Sequence, residues 1–128
     1  MSIIGIGVDR IAIARIQRSY QRFETRFIQR IYSEQEYHLA QQKGLFRRLA
    51  MFFAAKEAVA KALGTGFVGF GMKDIEVYYV ASGQPHIRLH PAAQTIAQHA
   101  GIQHIHLSLT DDDGVAMAFA IAECTPQE

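Results

Sequence analysis

Apolar residues recur along this 128-residue chain in two periods, and the change from one to the other divides it into elements. Residues 3–8, Ile-Ile-Gly-Ile-Gly-Val, are a short β-branched run interrupted by glycines. This predicts a buried strand whose glycines let another element approach closely, with Asp9 at its end. From Ile13 the apolar positions 13, 16, 20, 23 and 27 follow helical spacing, while Arg15, Arg18, Arg22 and Arg26 fall together on a different face. Ser33 and Glu36 have the spacing of a capping box, so a second helix starts there and ends near Gly44. A third helix, over residues 46–63, is rich in strong helix formers, and Gly64 is placed to take the left-handed conformation at its C-terminus.

Further along, the period shortens to that of strands. Residues 74–80, a turn at Ser-Gly-Gln-Pro and residues 86–90 predict a hairpin, because β-branched and aromatic residues flank turn formers. Residues 91–100 read as a short helix with Pro91 in its first turn and Gly101 just past its end. Residues 104–110 and 115–123 are separated only by the polar turn Asp-Asp-Asp-Gly, which predicts a final antiparallel pair. The expected fold class is α+β, a small antiparallel sheet packed against a long helix. The length suits one domain over residues 1–128, and 49% apolar against 20% charged residues suffices for a core.

Charge changes the picture only locally. The formal net charge is +1, so nothing global marks nucleic acid or an anionic membrane as partner. The arginine stripe has no interleaved acid and suits an acidic protein. An RNA partner is disfavoured, because Tyr20, Phe23 and Phe27 lie on the apolar face where they cannot stack bases beside the arginines. The lone Cys124 cannot form an internal disulfide, the start of the chain lacks the pattern of a secretory signal, and no apolar run approaches the roughly 18 residues of a membrane span. A cytoplasmic protein is expected.

Candidate chemistry gathers around the third helix. Glu57 and Lys61 are four apart in the favourable order, which on spacing alone is a surface ion pair worth about 0.3–0.5 kcal/mol. The alternative joins Glu57 to Asp9: two carboxylates, with waters and phosphate oxygens, make a sensible magnesium shell, and Lys61 would neutralise a phosphate one turn away. Gly64 to Gly69 matches the glycine pattern of dinucleotide sites, but it follows a helix and precedes a strand, the reverse of what that motif needs. It reads instead as a cap and loop, with the amides of Thr65 and Gly66 able to meet a phosphate. His104 and His106 lack a third ligand at zinc spacing, and Leu109 stands where the first ligand of a calcium loop would be.

Taken in order, Gly-Ile-Gly-Val-Asp-Arg-Ile near the start, Phe-Phe-Ala-Ala-Lys-Glu-Ala-Val-Ala-Lys-Ala-Leu-Gly-Thr-Gly in the middle, Asp-Ile-Glu-Val with Gly-Gln-Pro, and His-Ile-His-Leu-Ser-Leu-Thr-Asp-Asp resemble the holo-acyl-carrier-protein synthases, small 4'-phosphopantetheinyl transferases, over nearly the whole chain. The resemblance implies the fold of that family and transfer of the phosphopantetheine arm of coenzyme A to a serine of apo acyl carrier protein, with release of adenosine 3',5'-bisphosphate. It makes Asp9 and Glu57 magnesium ligands and sets Lys61 against the coenzyme A diphosphate. Thr65, Gly66, His106 and Thr110 would line the coenzyme site, and Arg15, extended by Arg18 and Arg22, would dock the carrier. Glu57 or a coordinated water would take the serine proton, with Lys61 stabilising the leaving side. It also implies a homotrimer with sites between subunits. The sequence departs from the family pattern at Arg10, where an apolar residue is usual, and at Phe52, where a basic residue usually precedes the aromatic. The second change removes one phosphate anchor, for which Arg47 or Arg48 would substitute. A non-catalytic module of the same fold, binding carrier or coenzyme A, is the alternative.

Overall fold

In the computed structural model, which describes residues 1–125, alternation along one strand decides the packing. Strand β1 (Ser2–Ala12) pairs antiparallel with β5 (Val115–Cys124), which pairs on its other edge with β4 (His104–Asp112), giving the order β1-β5-β4. Opposite Gly5, Gly7, Asp9 and Ile11 stand Ala122, Ala120, Ala118 and Ala116, all four alanines buried. Across this face lies helix α4 (Leu45–Ala62), itself lined with small residues. The approach is so close that a Cβ at Gly7 would sit 1.7 Å from the carbonyl oxygen of Ala58, and one at Gly5 1.9 Å from that of Ala62. The glycines therefore act as the sequence predicts, since no side chain fits between strand and helix.

Two expectations about β1 are corrected. It runs on to Ala12, so Asp9 lies within the strand, paired with Ala118, and not at its end. Nor is it buried on both sides. Ile6 and Val8 are 59% and 52% exposed, and beside them on β5 Met117 and Phe119 are 41% and 43% exposed. One face of the sheet is thus a seam of small residues under α4, and the other an open apolar surface.

The helix read from Ile13 through Phe27 is two helices, α1 (Ile13–Phe23) and α2 (Thr25–Ile31). They meet at Glu24, which has φ 46° and ψ −117°. Positive φ is uncommon outside glycine, and no glycine or proline marks the break. Arg26 consequently belongs to α2 and leaves the stripe. Helix α3 (Glu34–Gln42) opens with the predicted box: Ser33 Oγ accepts from the Glu36 amide at 3.1 Å, and Glu36 Oε1 accepts from the Ser33 amide at 2.9 Å. Gly64 has φ 91° beyond the end of α4, as expected for its cap.

A single-turn 3-10 helix (Met72–Asp74) leads into the hairpin of β2 (Ile75–Tyr79) and β3 (Pro85–Leu89), followed by α5 (Pro91–His99), with Pro91 in its first turn. Asp113 and Gly114 turn β4 into β5 with φ of 51° and 76°, the two positive values of a tight hairpin turn. No helix among the described residues is long and apolar enough to cross a membrane.

Candidate active site

The three charged residues of α4 have three different environments. Lys56 is completely buried; its Nζ donates to Glu36 Oε1 at 2.9 Å and to the carbonyl oxygens of Met72 at 3.0 Å and Ile75 at 2.5 Å. Burial lowers its proton affinity, and the Glu36 charge opposes that effect. Glu57, one residue on, is half-buried, and Lys61 is exposed. The Lys61 ammonium reaches across the seam and donates to the Val8 carbonyl at 2.9 Å and to Asp9 Oδ1 at 3.3 Å. The surface pair expected between Glu57 and Lys61 is therefore replaced by one between Lys61 and Asp9.

Asp9 projects toward α4 because it follows Gly5 and Gly7 on the same face of the strand. The glycines draw the helix in, and the carboxylate meets Lys61 where the contact opens to solvent, with Glu57 one turn before Lys61 on the same helix. Burial raises the Glu57 carboxyl above the usual carboxylate range, the negative charge of Asp9 raises it further, and Lys61 counteracts both. The charge of Asp9 thus disfavours ionisation of Glu57, and a cation between the two would relieve the repulsion. Two hard oxygen donors beside a solvent-open mouth fit an ion such as magnesium, which takes few protein ligands and fills its shell with water and substrate oxygens.

The remaining residues of the sequence reading divide into three groups. Thr65 and Gly66 follow Lys61 in the loop that leaves α4, with Gly66 at φ 64° and the Thr65 hydroxyl donating to the Gly66 carbonyl at 3.1 Å. His106 and Thr110 are not brought to Asp9 within one chain. They pair across β4 and β5 with Ile121 and Met117, on the open face of the sheet, and His106 is hydrogen-bonded to Glu123 at 3.0 Å. Arg15, Arg18 and Arg22 are exposed on α1, whose first residue directly follows the last of β1.

Phe52 is fully buried, 6.2 Å ring to ring from Tyr79, so in place of a basic residue there is core. Of its proposed substitutes, Arg48 stacks on Tyr79 at 5.6 Å and donates to the Leu39 carbonyl at 2.7 Å, while Arg47, half-exposed, bonds Asp111 at 2.8 Å. The role of Lys56 was not legible from spacing, since its partner lies twenty residues away in another helix.

A family model described as the 4'-phosphopantetheinyl transferase superfamily matches residues 5–120, and the chain belongs to that family. Among particular relatives, it is 42% identical to the holo-[acyl-carrier-protein] synthase of Serratia proteamaculans over 96% of this chain and 99% of that protein. It is 43% identical to the synthase of the same name from Clostridium kluyveri, over 94% and 90% of the two chains. The crystal structure of the Neisseria meningitidis synthase superposes with a TM-score of 0.88 at 36% identity, covering 95% of this chain and 99% of that one. That of the Helicobacter pylori synthase in complex with coenzyme A gives 0.82 at 32% identity, covering 92% and 99%.

Proposed function

We propose that this chain transfers the 4'-phosphopantetheine arm of coenzyme A to a serine of an apo acyl carrier protein, releasing adenosine 3',5'-bisphosphate. The observation that carries the reading is the Lys61–Asp9 contact across the seam between β1 and α4, with Glu57 one helical turn before Lys61 and near enough to Asp9 to be raised by its charge. The serine oxygen forms a bond to the β-phosphorus of coenzyme A, the bond from that phosphorus to the bridging oxygen breaks, and the bisphosphate leaves with the electron pair. Such a displacement asks the protein mainly to position its reactants and stabilise charge.

Asp9 and Glu57 would hold magnesium, which when bound polarises the diphosphate and offsets its charge. Lys61, exposed at the mouth, holds the diphosphate and stabilises charge on the leaving side. Glu57, or a water held beside it, would accept the serine proton. Thr65 offers its backbone amide to the coenzyme phosphates, with Gly66, whose own amide caps α4, setting the turn beside it, and Arg47 is the half-exposed cation that stands in for the base absent at Phe52. Arg15, Arg18 and Arg22 dock the acidic carrier.

The reading includes a homotrimer. What supports self-association is the open apolar face of Ile6, Val8, Met117 and Phe119, of a kind seldom left to water. Closing that face against another copy would carry His106 and Thr110 toward a neighbour's mouth and complete the coenzyme site. The protein would act in the cytoplasm.

The test incubates the protein with apo carrier, coenzyme A and magnesium and reads the carrier by intact mass spectrometry. Addition of one phosphopantetheine is expected, and its loss on chelation. An unmodified carrier that still co-elutes with the protein would instead establish a binding module. Sedimentation of the parent and of Phe119→Asp tests the assembly, the parent running as three copies and the variant as one.

A further inference from the structure

The glycine-rich segment after α4 holds Gly64, Gly66, Gly69 and Gly71 within eight positions, three of them at positive φ, and such a chain has little stiffness of its own. Its start is fixed by the helix: the Gly64 amide donates to the Lys61 carbonyl at 3.0 Å and the Gly66 amide to that of Ala60 at 3.3 Å. Its return is fixed by Lys56. The ammonium donates to Met72, the first residue after the loop, and to Ile75, the first of β2, so one side chain in the middle of α4 closes the excursion. Glu36 holds that ammonium and is itself held, accepting from the Ser33 amide through Oε1 and from the Val77 amide at 2.8 Å through Oε2.

Stability alone is a poor reason for this arrangement, because a buried ion pair is often no better than apolar residues of the same size. An apolar pair, however, cannot grip two backbone carbonyls at set points. All three donors of the Lys56 ammonium are in use, and two of them go to the chain that carries the loop back. We infer that Lys56 is a positioning residue that fixes the far end of the glycine loop, so that the loop returns on a set path and the Thr65 amide at its near end stands ready for the coenzyme A phosphates beside Lys61. The inference rests on the functional reading above.

The experiment compares Lys56→Met, and Lys56→Met with Glu36→Gln, which removes the unpaired buried charge but keeps an acceptor for Val77. A loosened loop raises the KM for coenzyme A about tenfold or more and leaves the KM for carrier within about twofold. A variant that had merely lost stability would lower the maximal rate with both KM values at the parent's, and that result, like equal rises in both, overturns the assignment. If neither variant folds at low temperature, the pair is a requirement for folding as such and the assignment falls. Amide hydrogen exchange separates this inference from the functional reading. Should the parent fail to modify any carrier, exchange about tenfold faster at residues 64–71 of the variant, with α4 and β5 unchanged, still upholds the anchor. Uniform acceleration throughout the chain refutes it.

Discussion

Helix α4 makes two lysine–carboxylate pairs about a turn and a half apart, and their surroundings are opposite. Lys56 and Glu36 meet at 2.9 Å with neither side chain exposed, while Lys61 and Asp9 meet at 3.3 Å with the lysine 53% exposed. The first pair has no water to fall back on, so each partner is committed to the other and to the backbone groups around it. The second has solvent on one side and gains at most about 1 kcal/mol from its pairing. Lys61 can therefore exchange Asp9 for a phosphate at little cost, whereas Lys56 can exchange nothing. On the proposed reading, charge in this helix is structural where it is enclosed and chemical where it is open.

The largest effect should come from the open end. Asp9→Ala and Glu57→Ala are each expected to lower magnesium-dependent transfer by about a thousandfold or more, with thermal stability close to the parent's. A steady-state assay and a melting curve on the same sample check this, and a variant as active as the parent would remove its residue from the site. The enclosed end should give the reverse pattern. Lys56→Met leaves a buried carboxylate without its cation and should lose about 3–5 kcal/mol of stability in urea denaturation. A loss below about 1 kcal/mol would show that the enclosed pair behaves like the exposed one.

On α1, charge is exposed and has no acidic partner on its own face. Arg15→Glu should raise the KM for carrier about tenfold while the KM for coenzyme A moves less than twofold. Equal changes would remove the stripe from docking.

A pH scan sharpens the contrast at its weakest point, Glu76, on β2 beside the enclosed pair. Burial works against its ionisation, but hydrogen bonds from Ser33 at 2.8 Å and with His90 at 2.9 Å, together with the Arg88 charge, outweigh burial and hold its carboxyl below the usual range. A carboxyl lowered in the folded state contributes stability that is present above its unfolded value, about 4.3. That contribution is lost as pH falls through the lower folded value. Glu76→Gln should therefore cost about 1 kcal/mol at pH 7, a difference that closes in acid. A constant difference across the scan would mean that the carboxylate charge contributes nothing.

Much of this was legible in the sequence, for definite reasons. Gly5 and Gly7 announce a close contact by lacking side chains, Ser33 and Glu36 announce a helix start by their spacing, and Asp-Gly at 113–114 announces a turn. All three are local, and the structure has them. Membership of the family was equally legible, because its motifs are stretches of contiguous residues. What escaped depends on distance or on the backbone alone. Lys56 and Glu36 are partners only after α3 and α4 pack. Glu24 breaks a helix without any residue that usually does so. The run of Ile4, Ile6 and Val8 reads as buried by composition, although only its glycine side is covered within one chain. The same limit separates His106 and Thr110 from Asp9: alternation assigns them a face, but not which neighbour that face will meet.

Ala12 ends β1 and Ile13 begins α1 with nothing between them, and the Ile13 amide is tied to the Gly114 carbonyl at 2.9 Å. In the proposed complex this junction works as a ruler. A carrier seated on Arg15 is gripped by the same rigid piece of backbone that bears Asp9 six residues earlier, so its serine must project a set length from its acidic patch to reach the phosphorus. Substrates would then be sorted by dimension as well as by charge, and an acidic protein with its hydroxyl at the wrong offset would be held but never modified.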